Sequence, residues 1–179
     1  MESGAILRYL ADKTGKLIPS DPRERQETIE WLFFQMASVG PMFGQYRHFA
    51  KFAKGKTDTY SEERYGAETK RLLEVLDKRL QGREYRVGSE LSIADIATVP
   101  WVGALDDYEV KDAVDYASFK SVVAWVERVM TREAVQRGLE VKRVLVRASP
   151  RRWRQRRRLG NLRHAAPSHI PIADVVRVS

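Results

Sequence analysis

Leu91-Ser92-Ile93-Ala94-Asp95-Ile96 is the stretch on which the reading of this chain turns. It has the form of a helix start facing a core. Ser92 is placed to be the N-cap and to accept a hydrogen bond from the backbone N–H of Asp95. Asp95, three residues on, is placed to reach back to the N–H of Ser92, the reciprocal capping box with Asp in the usual Glu position. Leu91 and Ile96 flank the cap as a hydrophobic staple. The segment that follows, through Ala97, Val99, Trp101, Val102 and Leu105, is apolar nearly all round, as a central buried helix must be. Pro100 falls inside it and predicts a bend.

Working outward, the same helical grammar repeats. Tyr65, Leu72, Leu73, Leu76 and Leu80 form the stripe of a helix over 61–80, stopped by Gly82. Pro22 opens another helix, with Ile29, Leu32, Phe33, Met36 and Val39 on one face; Gly40-Pro41 is expected to kink or break it. Val122, Trp125, Val126 and Val129 mark a helix over 119–130, and a shorter one is expected over 132–141. Near the start, Ser3 is a possible cap for a helix ending at Gly15, with Ile6, Leu7 and Leu10 on its buried side. No strand pattern precedes Val141. The fold class is therefore all-α, a helical bundle of about five helices with one leading helix. The division reads as a leading segment 1–15, a linker 16–21, a helical domain 22–141, and an Arg-rich tail 142–179 that composition predicts to be disordered.

Charge separates these regions. From Val141 to Ser179 there are 11 Lys or Arg and one acid, Asp174, a net +10; Met1–Glu140 carries 21 basic and 23 acidic residues, a net −2. The basicity belongs to the tail, where Arg151 to Arg158 holds six arginines around Trp153. Such a run can bind phosphates and stack a base, but it has no helical period, and a solvated tail explains it as well; nucleic-acid binding is kept as an alternative function only. There is no cysteine, which excludes disulfides and thiolate chemistry by the chain itself. His48, His164 and His169 have no metal-ligand spacing, so no metal site is expected. No G-x-S-x-G, G-x-G-x-x-G or phosphate loop occurs. No apolar run approaches membrane-spanning length, and no leader is visible at the N-terminus; a cytoplasmic protein is expected.

One pair carries potential chemistry. Glu2-Ser3 lies where a helix begins, and free N–H groups with the positive end of the helix dipole suit a carboxylate. Ser3 adds a hydroxyl, and Glu2 suits an ammonium. Together they fit a zwitterionic amino-acid head, although two such residues are more often a simple cap.

These motifs together resemble a known family. Glu2-Ser3-Gly4-Ala5-Ile6-Leu7-Arg8-Tyr9-Leu10 is similar to the end of the thioredoxin-like domain of cytosolic glutathione transferases. Ser92-Ile93-Ala94-Asp95 resembles the capping motif of their all-helical C-terminal domain. Trp31-Leu32-Phe33-Phe34-Gln35, Gly40-Pro41-Met42-Phe43-Gly44-Gln45, Glu63-Arg64-Tyr65 and Trp101-Val102 narrow the resemblance to the bacterial nu-class group, which includes glutathione-dependent disulfide-bond reductases. It covers roughly Glu2 to Val141.

The resemblance implies glutathione as substrate, bound by Glu2, Ser3 and Arg64. It places Gln45, Tyr46 and His48 at a second-substrate pocket for a small electrophile or disulfide. It implies a homodimer in full-length relatives, and assigns Ser92 and Asp95 a structural role. Complete members carry a thioredoxin-like domain ahead of Glu2 that supplies the thiol-activating residue. The resemblance therefore implies a truncated member, weak or inactive as an isolated chain. A non-catalytic interaction module of the same fold is the other alternative.

Overall fold

The computed structural model describes residues 2–56, 59–107 and 110–148. The chain divides into two units, Met1–Gln136 and Arg137–Ser179. The Arg-rich run, Trp153, His164, His169 and most of the segment expected to be disordered lie outside the described residues.

Among the described residues seven α-helices follow in order: α1 Ser3–Thr14, α2 Pro22–Phe34, α3 Gly40–Arg47, α4 Thr59–Leu80, α5 Ile93–Asp107, α6 Lys120–Met130 and α7 Glu133–Ala148. No strand occurs among the described residues, so the all-α expectation holds. Helix α7 runs past Val141, the end expected from the sequence, to Ala148. None of the described helices is long and apolar enough to cross a membrane.

Helix α5 is the axis of the first unit, in contact with α1, α2, α3 and α6. Its Val99, Val102 and Leu105 meet Phe43 and Tyr46 of α3, Leu72, Leu73, Leu76 and Leu80 of α4, and Val122, Trp125 and Val129 of α6 in the main core. A second, smaller core joins α1 to the bundle: Ala11, Ile18, Leu32, Ile93 and Ala97, with Leu7 and Met36 against them. Each fully buried aliphatic side chain contributes about 1.5–3 kcal/mol, so these two stripes supply most of the driving force.

Local chemistry explains the starts and stops. Asp21 caps α2, its Oδ1 accepting the N–H of Glu24 at 2.9 Å, with Pro22 at the first helical position. Helix α6 has no cap of its own; Asp77 of α4 reaches across, and its Oδ1 accepts the N–H groups of Ser121 and Val122 at 2.8 and 3.1 Å. Gly15 ends α1 in the left-handed region, its N–H bonded to Ala11 O at 2.8 Å.

Three expectations are corrected. Gly40-Pro41 does not break the chain's helical course: a π-helical turn over Gln35–Val39 joins α2 to α3, with the Gly40 N–H bonded to Gln35 O. Ser3 does not cap α1; Glu2 occupies the N-cap position without a side-chain bond, and Ser3 is the first helical residue. The buried side of α1 is Gly4, Leu7 and Ala11, while Ile6, Tyr9 and Leu10 are exposed. Small residues decide that choice, because a Cβ on Gly4 would stand 3.1 Å from the Met36 side chain, so α1 approaches closely only along its Gly4–Ala11 edge.

The start of α5 is built around Asp95, which is fully buried. Its Oδ2 accepts the N–H of Ser92 at 3.0 Å, as the capping box requires. The other half differs from expectation. The Ser92 hydroxyl donates to the Asp95 carboxylate at 2.9 Å, and the Asp95 N–H bonds to the backbone O of Ser92 at 3.1 Å. Oδ1 accepts the Arg86 N–H at 3.2 Å and the Trp125 indole N–H at 3.0 Å. The carboxylate thus ties α5, the preceding loop and α6 together. The backbone N–H of Ile93 bonds to Leu17 O at 2.8 Å and fixes the linker to the same point.

Candidate functional site

Two openings are lined by residues singled out from the sequence, one by Glu2 and the other by Arg64. The first lies between α1 and α2, a cavity of about 300 Å³ lined by Glu2, Gly4, Ala5, Arg8, Ile29, Leu32, Phe33 and Met36. It is apolar in its floor and charged at the mouth. Glu2 and Ser3 are exposed there. The first turn of α1 contains no acid, so the N–H groups of its first residues and the positive dipole end have no anionic partner on the helix itself. The Ser3 hydroxyl is 3.9 Å from the Met36 sulfur, a weak contact that a carboxylate could replace. Arg8 is turned along the helix to Asp12, at 3.8 Å.

The second opening, of about 850 Å³, is lined by Met42 of α3 and by Tyr60, Glu63, Arg64, Tyr65, Ala67, Glu68 and Arg71 of α4. Its size lies within the range of small-molecule sites. Arg64 is exposed at its edge. Glu68 holds Arg71 in a two-pronged pair at 2.7 and 2.8 Å. That hydrogen bond, with the nearby Arg64 charge adding less, keeps the Glu68 carboxyl below its ordinary range. The site therefore keeps two guanidinium groups near one carboxylate, one of them already occupied.

Glu2 lines one opening, with Ser3 next to it in the chain, and Arg64 lines the other; the structure does not bring all three to one cavity. Among the remaining sequence candidates, Gln45 and His48 are exposed, whereas Tyr46 is buried in the main core. The Tyr46 hydroxyl donates to Val110 O at 3.4 Å, and burial, followed by the Glu62 charge, raises its pKa. Its ring lies against Gly66, where a Cβ would be 3.2 Å away. His48 meets Phe49 edge-on at 5.1 Å, and Phe49 stacks on Tyr65 at 5.5 Å, which links the end of α3 to the rim of the Arg64 cavity.

Sequence reasoning passed over Glu68 and Arg71. Their three-residue spacing on a helix was the available signal, since such pairs face each other. It also passed over Arg86, which no spacing rule marks as buried.

The model of the glutathione S-transferase C-terminal domain matches residues 32–133. Over 138 residues, 77% of this chain, the sequence is 45% identical to the disulfide-bond oxidoreductase YfcG of Escherichia coli, and it spans 62% of that protein. It is 40% identical to the E. coli disulfide-bond oxidoreductase YghU over 145 residues, 79% of this chain and 50% of the relative. Among solved structures, a glutathione transferase from Burkholderia graminis with two glutathione molecules per subunit superposes with a TM-score of 0.76 at 49% identity, covering 85% of this chain and 61% of that one. One from Pseudomonas putida with a bound glutathione disulfide gives 0.75 at 46%, covering 79% and 62%.

Proposed function

Because this chain belongs to the glutathione S-transferase family, we propose that it binds glutathione at the start of α1 and serves glutathione-dependent disulfide reduction or transfer. The observation that carries the reading is the open N-terminus of α1, where Glu2 and Ser3 are exposed and the first turn has no acid of its own. A γ-glutamyl group presents an ammonium and a carboxylate on one carbon. Glu2 takes the ammonium; the Ser3 N–H and hydroxyl take the carboxylate, aided by the helix dipole. The solved relatives that carry glutathione or its disulfide support the ligand class. Arg64 supplies a cation for an anionic group in the second opening. Gln45 and His48 offer exposed donors toward a disulfide or electrophile, and Tyr46 supports them from the core.

Turnover needs more than binding. A thiol becomes a nucleophile when a donor or positive charge lowers its pKa. Around the start of α1, Glu2 is anionic, Ser3 is neutral and Arg8 is turned to Asp12. The 179-residue chain is therefore expected to bind glutathione and to turn it over weakly or not at all. Homodimer formation belongs to the same proposal. Calorimetric titration of the purified chain with glutathione tests binding, with Glu2→Gln and Ser3→Ala as controls. Binding that both variants weaken, Glu2→Gln the more, supports the reading; binding unchanged in both removes it. Robust disulfide reduction by the same preparation would overturn the argument about the thiol.

A further inference from the structure

The segment Arg83–Glu90, between α4 and α5, is held in an unusual way. Between Glu84 and Leu91 the only backbone N–H that finds a protein acceptor, among the described residues, is that of Arg86, bonded to Asp95. The other ties are long cationic side chains reaching in from α4 and the end of α6. Arg79 Nε donates to Arg86 O at 2.6 Å, Arg128 Nη1 donates to Glu84 O at 2.9 Å, and Arg132 Nη1 donates to the Tyr85 hydroxyl at 3.5 Å. Gly82 and Gly88 bracket Arg83–Val87 with φ of 68° and 58°, a backbone conformation that glycine adopts without cost. Cavities of about 470 Å³ lie against the segment on two sides. One is lined by Gln81–Glu84, Gly88 and Ser89; the other is shared between Val87–Ser92 and the linker before α2.

At the centre of this segment is a buried charge. Arg86 is 0% exposed, its guanidinium lying 5.5 Å from the Trp31 ring and 5.6 Å from the Trp125 ring. Its Nε is 3.6 Å from Asp95 Oδ1, an ion pair beyond hydrogen-bond length, and none of its three side-chain nitrogens has a hydrogen-bond partner. Burial pulls its pKa down to about 10, with the Asp95 charge only partly opposing. Asp95 does not depend on it, since three donors outside the segment, the Ser92 N–H and hydroxyl and the Trp125 indole N–H, bond to the carboxylate. Opening the segment would return the guanidinium to water, and that gain offsets the exposure of Tyr85 and Val87.

The geometry points to a hinged strap: residues 83–87 swing out between Gly82 and Gly88 while the bundle stays folded, uncovering Asp95 and the Trp125 indole. Local opening of this kind is a low-lying excursion of the native state, distinct from global unfolding. It makes the start of α5 reachable by water without loss of the α3–α4–α6 core.

Hydrogen exchange followed by NMR tests this on the intact chain. The Arg86 amide and the Trp125 indole N–H both bond to Asp95 Oδ1, so they report the same event. The Val99 amide in α5 reports global unfolding. The strap predicts that the two reporters exchange together, at least tenfold faster than Val99, and with little dependence on added urea. Exchange at the Val99 rate with the same urea dependence would overturn it. Arg86→Met keeps most of the stem and removes the charge. It is expected to slow the Trp125 indole exchange at least tenfold; faster exchange in a folded Arg86→Met protein would show that the charge closes the segment rather than loosening it. The wild-type measurement decides between the outcomes even if the variant fails to fold.

Discussion

Two helix starts in this molecule use the same vocabulary to opposite ends. At α5, a serine and a carboxylate are turned inward, and four donors are spent on Asp95. At α1, a carboxylate and a serine are turned outward, and the first helical turn is left with its N–H groups and dipole uncompensated. The difference is one of burial. A carboxylate taken out of water must be hydrogen-bonded several times over or it costs several kcal/mol, so the inward start recruits a loop and a second helix. An exposed carboxylate keeps its water and can exchange it for a ligand. A helix start alone therefore does not distinguish structure from binding; what surrounds the carboxylate does.

The largest expected effect follows from emptying the inward start. Asp95→Ala removes the acceptor for four donors and leaves Arg86 buried with no counter-charge, so the loss should reach ~3–5 kcal/mol. That is well above the ~0.5–2 kcal/mol of an ordinary cap. Urea unfolding measures it; a loss within the cap range would show that Arg86 and Trp125 are bystanders. Trp125→Phe is the next step down. It deletes the indole donor at 3.0 Å and leaves a gap beside Arg86, at an expected cost of about 1–3 kcal/mol. Further down, Asp77→Ala strips α6 of its borrowed cap and should cost about 1 kcal/mol.

How much of this was legible in the sequence follows from the range of each interaction. The Ser92–Asp95 pairing spans three residues, so its spacing could be read directly. Its partners could not: Arg86 lies nine residues before Asp95 and Trp125 thirty after, and only the folded bundle makes them neighbours. The stripes of α4, α5 and α6 were visible because a 3.6-residue period survives any tertiary detail. The buried edge of α1 was missed because it is made of Gly4, Leu7 and Ala11, and hydrophobicity favours Ile6 and Leu10 over the small residues that permit close approach. Gly40-Pro41 looked like a break because sequence rules weigh a missing N–H and not the π-turn that joins the two helices. At the candidate site, Glu2, Ser3 and Arg64 were named from a resemblance. That two openings separate them is a property of helix packing which no motif encodes.

Arg86 sharpens the comparison from the side of charge. Its pKa is lowered in the folded chain to about 10, below the ordinary arginine range, so above that pH the native state binds fewer protons than the unfolded state. The burial cost is present in full below about pH 10 and is relieved as pH rises above that value. Arg86→Met has no such charge. The stability difference between variant and wild type should therefore be greatest near pH 8 and shrink by up to about 1 kcal/mol at pH 10.5, read from paired urea curves. A difference that stays flat would mean the guanidinium reaches water in the native state.

The smallest expected change in stability lies at the outward start, and it is the most informative for function. Glu2→Gln alters an exposed side chain that makes no cap bond, so unfolding should move by less than ~0.5 kcal/mol. Its effect on glutathione should be of another order, a loss of roughly tenfold in affinity, because the amide cannot offset the ligand's ammonium and no other acid stands in the first turn. Ser3→Ala should follow the same pattern more weakly, as the backbone N–H remains. The two helix starts would then separate cleanly: substitutions at α5 change folding and leave the ligand's contacts alone, and substitutions at α1 do the reverse. If Glu2→Gln lowered stability as a cap mutation does and left glutathione affinity intact, the outward carboxylate would be a structural group like the inward one, and the binding assignment for α1 would fall with it.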